Sequence, residues 1–215
     1  MRAGNLKVRF FEVTHTIPDS MGLIIETPYG HIVHTGDLKL DHENGIPTAE
    51  EEKEFSVFAD KKVLLLLTDS TNVEKPGFSI PESTVFKNIE ELIKSVKGRL
   101  IIGTFSSQLE RIMKIVEFAE NHGRKIVVEG RSMKVNIEIV KTLGMLKSKP
   151  GTFISTEEMG GLPDNKVLIL STGAQADEFS ALMRMATKTH KQIKIGKNDT
   201  IVLSSSIIPG NERAV

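Results

Sequence analysis

The sequence predicts an α/β protein, because a first third rich in strand patterns is followed by a region in which strands and helices alternate. The strands of this second region are short, continuous apolar runs, which are typical of strands buried on both faces. The helices carry apolar residues three or four positions apart and end at glycines. Strands that alternate with helices pair in parallel, so we expect a mostly parallel, doubly wound sheet flanked by helices.

The composition excludes several classes of protein. Of 215 residues, 39% are hydrophobic and 26% are charged, the formal net charge is zero, and cysteine is absent. Zero net charge argues against coating nucleic acid by bulk charge but leaves a local basic groove open. The lack of cysteine excludes disulfides and thiolate metal sites. No apolar run reaches the length of a membrane span and the N-terminus lacks a signal-peptide pattern, so we expect a cytoplasmic protein without a membrane partner.

Four segments of the first third have strand patterns. Residues 8–13 alternate weakly, and residues 22–27 and 31–35 flank Pro28-Tyr29-Gly30, which predicts a hairpin. Residues 62–67 form an apolar run that we expect to be a buried strand. The polar, acidic segment 41–53 is expected to be a solvated loop or a short surface helix.

The rest of the chain alternates between the two element types. Short apolar runs predict strands at residues 100–102, 126–128, 167–170 and 201–203. We expect a domain junction at residues 71–77, where the composition changes. We expect the methionines and phenylalanines of the predicted helices to pack in the core. Helical spacing of apolar residues predicts four helices: Val85, Ile89, Leu92, Ile93 and Val96; Leu109, Ile112, Met113, Val116 and Ala119; Val135, Ile139, Val140 and Leu143; Phe179, Leu182, Met183 and Ala186.

Two candidate metal ligands, His15 and Asp37, each follow an apolar run and lie next to a turn-forming residue. Imidazole and carboxylate suit a hydrolytic zinc or manganese site, and side chains at strand ends can converge at one sheet edge. Taken alone, the two residues are better explained as a hydrogen-bonded core histidine and an aspartate that closes a turn. Asp69, which follows the run 62–67, can likewise be explained structurally, as the first residue of an Asx-turn that closes the strand.

A series of motifs resembles the metallo-β-lactamase/β-CASP nucleases of the ribonuclease J type. It begins with His15-Thr16-Ile17-Pro18-Asp19-Ser20, His34-Thr35-Gly36-Asp37 and Leu67-Thr68-Asp69-Ser70-Thr71-Asn72. It continues in family order with Pro76-Gly77-Phe78, Thr104-Phe105-Ser106-Ser107, Gly130-Arg131-Ser132-Met133, Leu162-Pro163-Asp164-Asn165, Ser171-Thr172-Gly173-Ala174-Gln175 and a segment from Ser204 to Glu212. The order of so many motifs is more specific than any one of them.

The resemblance implies roles for three residues. His15 and Asp37 occupy metal-ligand positions, and Asp37 would also be catalytic as a bridge between two ions. Asp69 matches an acidic catalytic position that supports the metal site through hydrogen bonds rather than by ligation. The family implies two Zn²⁺ ions in a complete site, with Mn²⁺ as an option. The remaining five histidines are interpreted as structural: His31, His34, His42, His122 and His190.

The sequence also departs from the family. The His-x-His-x-Asp-His segment that supplies most of the metal ligands is absent, as are the later histidine motifs. We therefore expect an internal fragment with two domains: the end of a metallo-β-lactamase αββα half at residues 1–72, and a β-CASP domain at residues 73–215. Such a fragment is not expected to hold two metal ions by itself.

Loops rich in small hydroxyl residues follow the four predicted parallel strands. Parallel sheets bind ligands beyond the carboxyl ends of their strands, and helix N-termini attract anions, but Ser and Thr are also ordinary helix caps. By resemblance, this edge holds the 5′ nucleotide and phosphate of RNA. The expected contacts are Ser106, Arg131 and Gly173, with Phe105 either stacking on a base or packing in the core. Lys134, Arg111 and Lys114 could line the groove, or lie on a solvated face.

The resemblance implies that the parent protein is a metal-dependent ribonuclease, a hydrolase that acts on 5′-monophosphorylated single strands as a 5′-to-3′ exonuclease, an endonuclease or both. The isolated chain is expected to be inactive, and the alternative is a non-catalytic RNA-binding β-CASP module. A homodimer of the full-length protein is also compatible with the family. An unrelated nucleotide-binding protein finds no support, because no Gly-x-Gly-x-x-Gly or Gly-Lys-Ser/Thr motif follows the first strand of the second region.

Overall fold

The structure is a computed structural model that describes residues 1–173 and 180–205. The chain divides into two units, Met1–Val85 and Phe86–Val215. This division falls after the expected junction at residues 71–77, and the finer assignment of domains to residues 1–72 and 73–215 stays a prediction. No described helix is both long enough and apolar enough to cross a membrane.

The first unit contains a five-stranded sheet with the order β1-β2-β3-β4-β7. Its first four strands are antiparallel neighbours, and β3 and β4 form the predicted hairpin, whereas β7 pairs in parallel with β4. The polar segment contains a two-stranded hairpin, β5 and β6, and a short helix, α1. The bounds are β1 Arg2–Ala3, β2 Leu6–Glu12, β3 Met21–Thr27, β4 Gly30–His34, β5 His42–Glu43, β6 Ile46–Pro47, α1 Ala49–Phe55 and β7 Val63–Leu67, with a 3-10 turn at Ser56–Phe58.

A small aromatic core holds α1 and its following turn against this sheet. The Phe11 ring makes edge contacts with Phe55 and Phe58, at centroid distances of 5.9 and 5.3 Å. Val13, Ile24 and Val33 belong to the same buried cluster. Phe11 lies over Gly22 on the neighbouring strand, and a Cβ at Gly22 would overlap its ring, which explains why this strand position carries glycine.

Strand β7 is where the expected apolar strand lies, but the expectation that it is buried is wrong. All five residues of β7 are exposed, with Leu66 at 52% and Leu64 at 47% of their full accessible surface. The reason is its position at the edge of the sheet, where β4 is the neighbour that pairs with it. An apolar run therefore predicted the strand correctly but not what covers its two faces.

The second unit has a four-stranded sheet with the order β11-β8-β10-β9, in which all neighbours are parallel. Helices connect the strands and pack against the sheet, so the predicted α/β class is confirmed. The bounds are α2 Glu82–Ser95, β8 Leu100–Gly103, α3 Leu109–Asn121, β9 Lys125–Glu129, α4 Arg131–Thr142, α5 Thr156–Met159, β10 Val167–Ser171, α6 Ala181–Ala186 and β11 Thr200–Leu203, with a 3-10 turn at Asp164–Lys166.

The central strands β8 and β10 are completely buried, and the helices cover them with apolar faces. The apolar positions that predicted α2 and α3 include Ile89, Ile93, Ile112, Val116 and Ala119, and these five are buried. In α6, Leu182 is buried, while Phe179 lies outside the described residues.

The four apolar residues that predicted helix α4 do not share one environment. Val140 is buried, but Val135, Ile139 and Leu143 are exposed. The buried face consists of Met133, Ile137 and Val140 instead. The helix carries two apolar rows on roughly opposite faces, because two positions along an α-helix correspond to a rotation of about 200°, and only one row faces the sheet.

A buried arginine connects the amino-terminal ends of three strands. Arg124, just before β9, is 3% exposed. Its guanidinium donates hydrogen bonds to the carbonyl oxygens of Ile93 (2.8 Å), Gly98 (3.2 Å), Val167 (3.1 Å) and Val96. These carbonyls belong to the end of α2, the turn before β8 and the first residue of β10. Burial lowers the pKa of Arg124, but an arginine in a protein remains protonated and keeps its full set of donors.

Replacing Arg124→Met should lower the free energy of unfolding by about 3 kcal/mol or more, because several buried carbonyl groups lose their donor together. Chemical denaturation followed by circular dichroism measures this change. Arg184→Met, on the exposed side of α6, is the matched control and should change stability by less than about 0.5 kcal/mol. Equal effects of the two substitutions would contradict the role given to Arg124.

Candidate functional site

In the first unit, hydrogen bonds bring the loops of the two predicted metal ligands together. His15 lies three residues past the end of β2, in a loop closed by a hydrogen bond from the Val13 N–H to the Ser20 carbonyl (2.9 Å). Asp37 lies three residues past β4 and is exposed. The Lys39 N–H donates to the Thr14 carbonyl (2.8 Å), so the residues next to His15 and Asp37 are in direct contact.

Asp69 joins the same region from the end of β7. Its Oδ2 accepts the Leu38 N–H (3.2 Å), and its Oδ1 accepts the N–H (2.8 Å) and the hydroxyl (2.6 Å) of Thr71. Its own N–H donates to the hydroxyl of Thr35, which is buried at the end of β4. Asp69 thus fixes the segment next to Asp37. It also forms the expected Asx-turn, so the turn and the supporting role coexist in one residue.

These hydrogen bonds set the protonation of Asp69. The hydroxyl and the N–H of Thr71 lower the pKa of the Asp69 carboxyl most strongly, and the Leu38 N–H and the nearby His15 add to this effect against the opposing effect of burial. Donors directed at a carboxylate favour its charged form. Asp69 is therefore an anion near His15 at neutral pH.

His15 is distinguished from most of the other histidines by an unused ring nitrogen. Its Nδ1 is buried and has no hydrogen-bond partner among the described residues, a condition that it shares with His31. The other four histidines have partners: His34 with Gly36, His42 with Ser79 and Gly45, His122 with Glu90, and His190 with Glu129. A buried nitrogen without a donor or acceptor is unfavourable unless it binds something, which suits a metal ligand.

The ligand set for a metal ion is nevertheless incomplete. Across residues 1–173 and 180–205, no group of three histidine, aspartate or glutamate side chains is arranged to hold a metal. A catalytic zinc ion takes three protein ligands and keeps a fourth position for water. The chemistry of His15 and Asp37 thus fits one side of such an ion, and further ligands would be needed to complete it.

Thr71→Val should raise the pKa of Asp69, because the substitution removes the strongest hydrogen bond to the carboxylate. Valine has nearly the same shape as threonine, so the packing at position 71 is kept. A carboxyl whose pKa is lowered by folding stabilises the fold above its unfolded value of about 3.9. That contribution is lost as the pH falls through the folded pKa, so the variant should lose it at a higher pH than the wild type.

An NMR titration of the carboxyl carbon of Asp69 measures this shift directly. Thr142→Val is a suitable control, since the Thr142 hydroxyl bonds to a helix carbonyl in α4. An unchanged pKa of Asp69 in Thr71→Val would contradict the assignment.

In the second unit, the loops predicted to bind phosphate lie at one edge of the parallel sheet. In the strand register, Ser171 of β10 is level with Gly103 of β8 and with Glu129 of β9, and Leu203 of β11 is also level with Gly103. Hydrogen bonds continue between the loops: the Thr104 N–H donates to Ser171, and the Thr172 N–H donates to Glu129, each at 3.1 Å. The four strand ends therefore form a single rim.

The two helices that begin at this rim after β8 and β9 lack side-chain caps. Gln108 at the start of α3 and Gly130 at the start of α4 form no capping hydrogen bond. The contrast is within the same unit, where Ser155 and Ser180 cap α5 and α6 through their hydroxyls. Side-chain capping therefore does not explain the hydroxyl residues of the first two loops. At α3 the Leu109 N–H donates to the Ser107 carbonyl (2.8 Å), whereas α4 begins directly after Gly130. Helix starts of this kind attract anions.

Two rim glycines permit a backbone approach that other residues would prevent. Gly130 has φ of 104° and Gly173 has φ of 105°, both in the region that favours glycine. A Cβ at Gly130 would overlap the side chain of Thr172, and a Cβ at Gly173 would overlap that of Ser180. The rim is closely packed at both positions, and both glycines are half-buried.

The predicted contacts differ in accessibility. Arg131 is exposed and forms no ion pair with the described residues, while Ser106 and Phe105 are half-buried. Arg111 is not on a solvated face: it is buried, and it donates to the carbonyl (2.8 Å) and hydroxyl (3.2 Å) oxygens of Ser204. Lys114 is the solvated alternative, paired with Glu117.

Sequence reasoning missed a buried charged network just behind the rim. Glu129, the last residue of β9, is 7% exposed and lies 3.4 Å from the Nε2 of His190 and 3.6 Å from the Nζ of Lys134. The N–H of Ile193 donates to Nδ1 of His190 (3.0 Å), so Nε2 carries the proton that points to Glu129. The signal in the sequence was a glutamate, Glu129, at the end of an apolar strand. Its partner His190 lies 61 residues away, so no local pattern connects the two.

A four-stranded parallel sheet with flanking helices and a glycine- and hydroxyl-rich rim defines the second unit as a doubly wound α/β domain. Residues 97–215 match the family model of the ribonuclease J β-CASP domain. The chain belongs to this family.

Curated relatives agree along nearly the whole chain. Ribonuclease J of Helicobacter pylori (strain B128) is 41% identical over 214 residues, which is 99% of this chain and 31% of the relative. Ribonuclease J of Corynebacterium glutamicum is 42% identical, with 99% and 30% covered, and that of Thermus thermophilus is 43% identical, with 95% and 36% covered. The chain thus spans about a third of the length of these relatives.

A solved structure supports the fold. A crystal structure of a protein of unknown function from Enterococcus faecalis V583 aligns with a TM-score of 0.59 and 20% identity, and covers 79% of this chain and 42% of that one. At this identity the likeness concerns the fold alone.

Proposed function

We propose that the chain is part of a metal-dependent ribonuclease of the ribonuclease J type, and that the rim of its second unit holds the 5′ phosphate of RNA. Membership of the family supports the general activity. The observation that carries the second part is the pair of uncapped helix starts, α3 and α4, at the carboxyl edge of one parallel sheet. Such starts present N–H groups and the positive end of the helix dipole to an anion.

Arg131 is the side chain best placed to complete this phosphate site. It is the first residue of α4, it is exposed, and its planar guanidinium can donate two parallel hydrogen bonds to one phosphate. Gly173 and the backbone around Ser106 would provide close contacts, and Phe105, which is half-buried, would stack on the first base. Glu129 accepts a hydrogen bond from Nε2 of His190 and lies 3.6 Å from the ammonium of Lys134, which offsets the carboxylate charge beside the phosphate.

The first unit would contribute part of the metal centre. His15 and Asp37 would be ligands of Zn²⁺ or Mn²⁺, and Asp37 would be a candidate bridge between two ions. Asp69 would hold the segment next to Asp37 in place through Leu38, and its negative charge would support His15. Metal ions in such a site activate water and stabilise the leaving oxygen of a phosphodiester.

The second candidate is an RNA-binding module without chemistry of its own. It is favoured for the chain in isolation, because the described residues do not assemble three metal ligands, whereas the described strand ends of the second unit meet at one edge of the sheet. The two candidates are compatible: the chain would bind the 5′ end of RNA, and the longer protein would hydrolyse it.

Arg131→Ala should weaken binding of a short 5′-monophosphorylated single-stranded RNA by about tenfold or more, the effect of losing a charge-assisted contact. Fluorescence anisotropy at fixed salt measures the dissociation constant. The same RNA with a 5′ hydroxyl should bind weakly and respond little to the substitution. Lys94→Ala removes an exposed cation near the end of α2 and serves as the control. Equal losses for both variants, or for both RNAs, would contradict the phosphate site.

The isolated chain should bind fewer than two Zn²⁺ ions and should not degrade the RNA. Calorimetric titration with Zn²⁺ measures the stoichiometry, and any single weak site should be abolished by His15→Ala and by Asp37→Ala. His122→Ala is the control, since His122 lies on α3 and interacts with Glu90. Two tightly bound zinc ions per monomer would mean that ligands come from residues not identified here.

A further inference from the structure

A buried histidine, His190, holds the side chain of Glu129 just behind the rim. The two residues are 8% and 7% exposed. Nδ1 of His190 accepts the N–H groups of Ile193 (3.0 Å) and Gln192 (3.4 Å), so Nε2 carries the ring proton and donates a hydrogen bond to Glu129 across 3.4 Å. The N–H of His190 donates to the Arg184 carbonyl (2.9 Å) near the end of α6. Main-chain groups thus fix the tautomer and the direction of the ring.

Glu129 is held from three directions. Its Oε2 accepts the hydrogen bond from His190, its Oε1 lies 3.6 Å from the Nζ of Lys134, and its carbonyl accepts the Thr172 N–H (3.1 Å). The side chain of Lys134 is 56% exposed and free to move, whereas that of His190 is 6% exposed and fixed by its surroundings. The direction of the Glu129 carboxylate therefore depends mainly on His190.

The position of this carboxylate creates a competition for Arg131. Arg131 is the first residue of α4, two positions after Glu129, and forms no ion pair within the part of the chain that the structure describes. Arg131 and Lys134 are three positions apart, so they are neighbours on one face of the helix. A carboxylate that lies 3.6 Å from Lys134 can therefore also reach Arg131 once it is free to turn. Carboxylate and phosphate bind a guanidinium in the same bidentate way, so each excludes the other.

We propose that His190 is a positioning residue for the 5′ phosphate site: it holds Glu129 away from Arg131 and so leaves the guanidinium free for the phosphate. This inference rests on the proposed function, because it requires Arg131 to contact the phosphate. His190 itself is buried behind the rim and acts through Glu129. Loss of its hydrogen bond allows an internal carboxylate to replace the phosphate as the partner of Arg131.

His190→Phe keeps an aromatic ring and removes the donor. It should weaken binding of a short 5′-monophosphorylated single-stranded RNA by about tenfold, because Glu129 then competes for the charge-assisted contact. Binding of the same RNA with a 5′ hydroxyl should not change. Fluorescence anisotropy at fixed salt measures both dissociation constants. His122→Phe is the matched control, since Nε2 of His122 also lies 3.4 Å from a glutamate, Glu90. Wild-type selectivity for the 5′ phosphate in His190→Phe would overturn the proposal.

The double variant His190→Phe with Glu129→Gln separates positioning from a merely structural role. A neutral amide does not compete for the guanidinium, so the second substitution should restore most of the lost affinity for the phosphorylated RNA. Damage to the fold of the rim would not be repaired in this way, and a double variant that binds as weakly as His190→Phe overturns the proposal. His190→Gln, which keeps an N–H donor, should retain the selectivity of the wild type.

NMR signals of the Arg131 guanidinium in the wild-type chain provide a test that needs no substitution at position 190. They should be those of a mobile, unpaired side chain, and signals slowed by pairing with a carboxylate would overturn the proposal. Arg131→Ala distinguishes this inference from the proposed function. If Arg131→Ala loses the selectivity for the 5′ phosphate and His190→Phe keeps it, the positioning role alone fails. If Arg131→Ala keeps the selectivity, the phosphate site itself fails.

Discussion

One buried guanidinium sets the frame on which the second unit depends. Arg124 enters β9 and donates to carbonyls at the end of α2, in the turn before β8 and at the first residue of β10. It satisfies helix-end acceptors that would otherwise need water, and it does so without a carboxylate partner in the contacts described. Because it aligns the starts of three parallel strands, their opposite ends are level as well, and the rim loops meet.

Sequence periodicity was sufficient to predict the helices and strands. It was insufficient to predict which of their faces are buried. The parallel strands were predicted because each is a short apolar run between helical patterns, and local spacing contains that information. The exposure of Leu66 in β7 and of Ile139 in α4 was not predicted, because leucine and isoleucine are also the residue types of the core. The hydrophobic pattern of a segment indicates which of its surfaces are apolar. Only the tertiary structure shows which elements pack against those surfaces.

The candidate sites divide in the same manner. His15, Asp37 and Asp69 were proposed from motifs, yet the contact between Thr14 and Lys39 that brings two of their loops together joins residues far apart in sequence and leaves no local pattern. Glycines at positions 130 and 173 were visible as composition, but their positive φ and the absence of caps on α3 and α4 needed backbone coordinates. The pairing of Glu129 with His190 was hidden for the same reason.

The strand order of the second unit has a consequence for synthesis on the ribosome. Strand β8 emerges first, yet one of its neighbours, β11, pairs with it through Thr200 and Leu100, a hundred residues later. Its other neighbour, β10, is also separated from it by three helices and a strand. Non-local pairing of this kind is slow, because distant segments must meet before either is stabilised. Strand β8 therefore remains apolar and unpaired until β10 has been translated, and unpaired apolar strands of this kind are prone to aggregation.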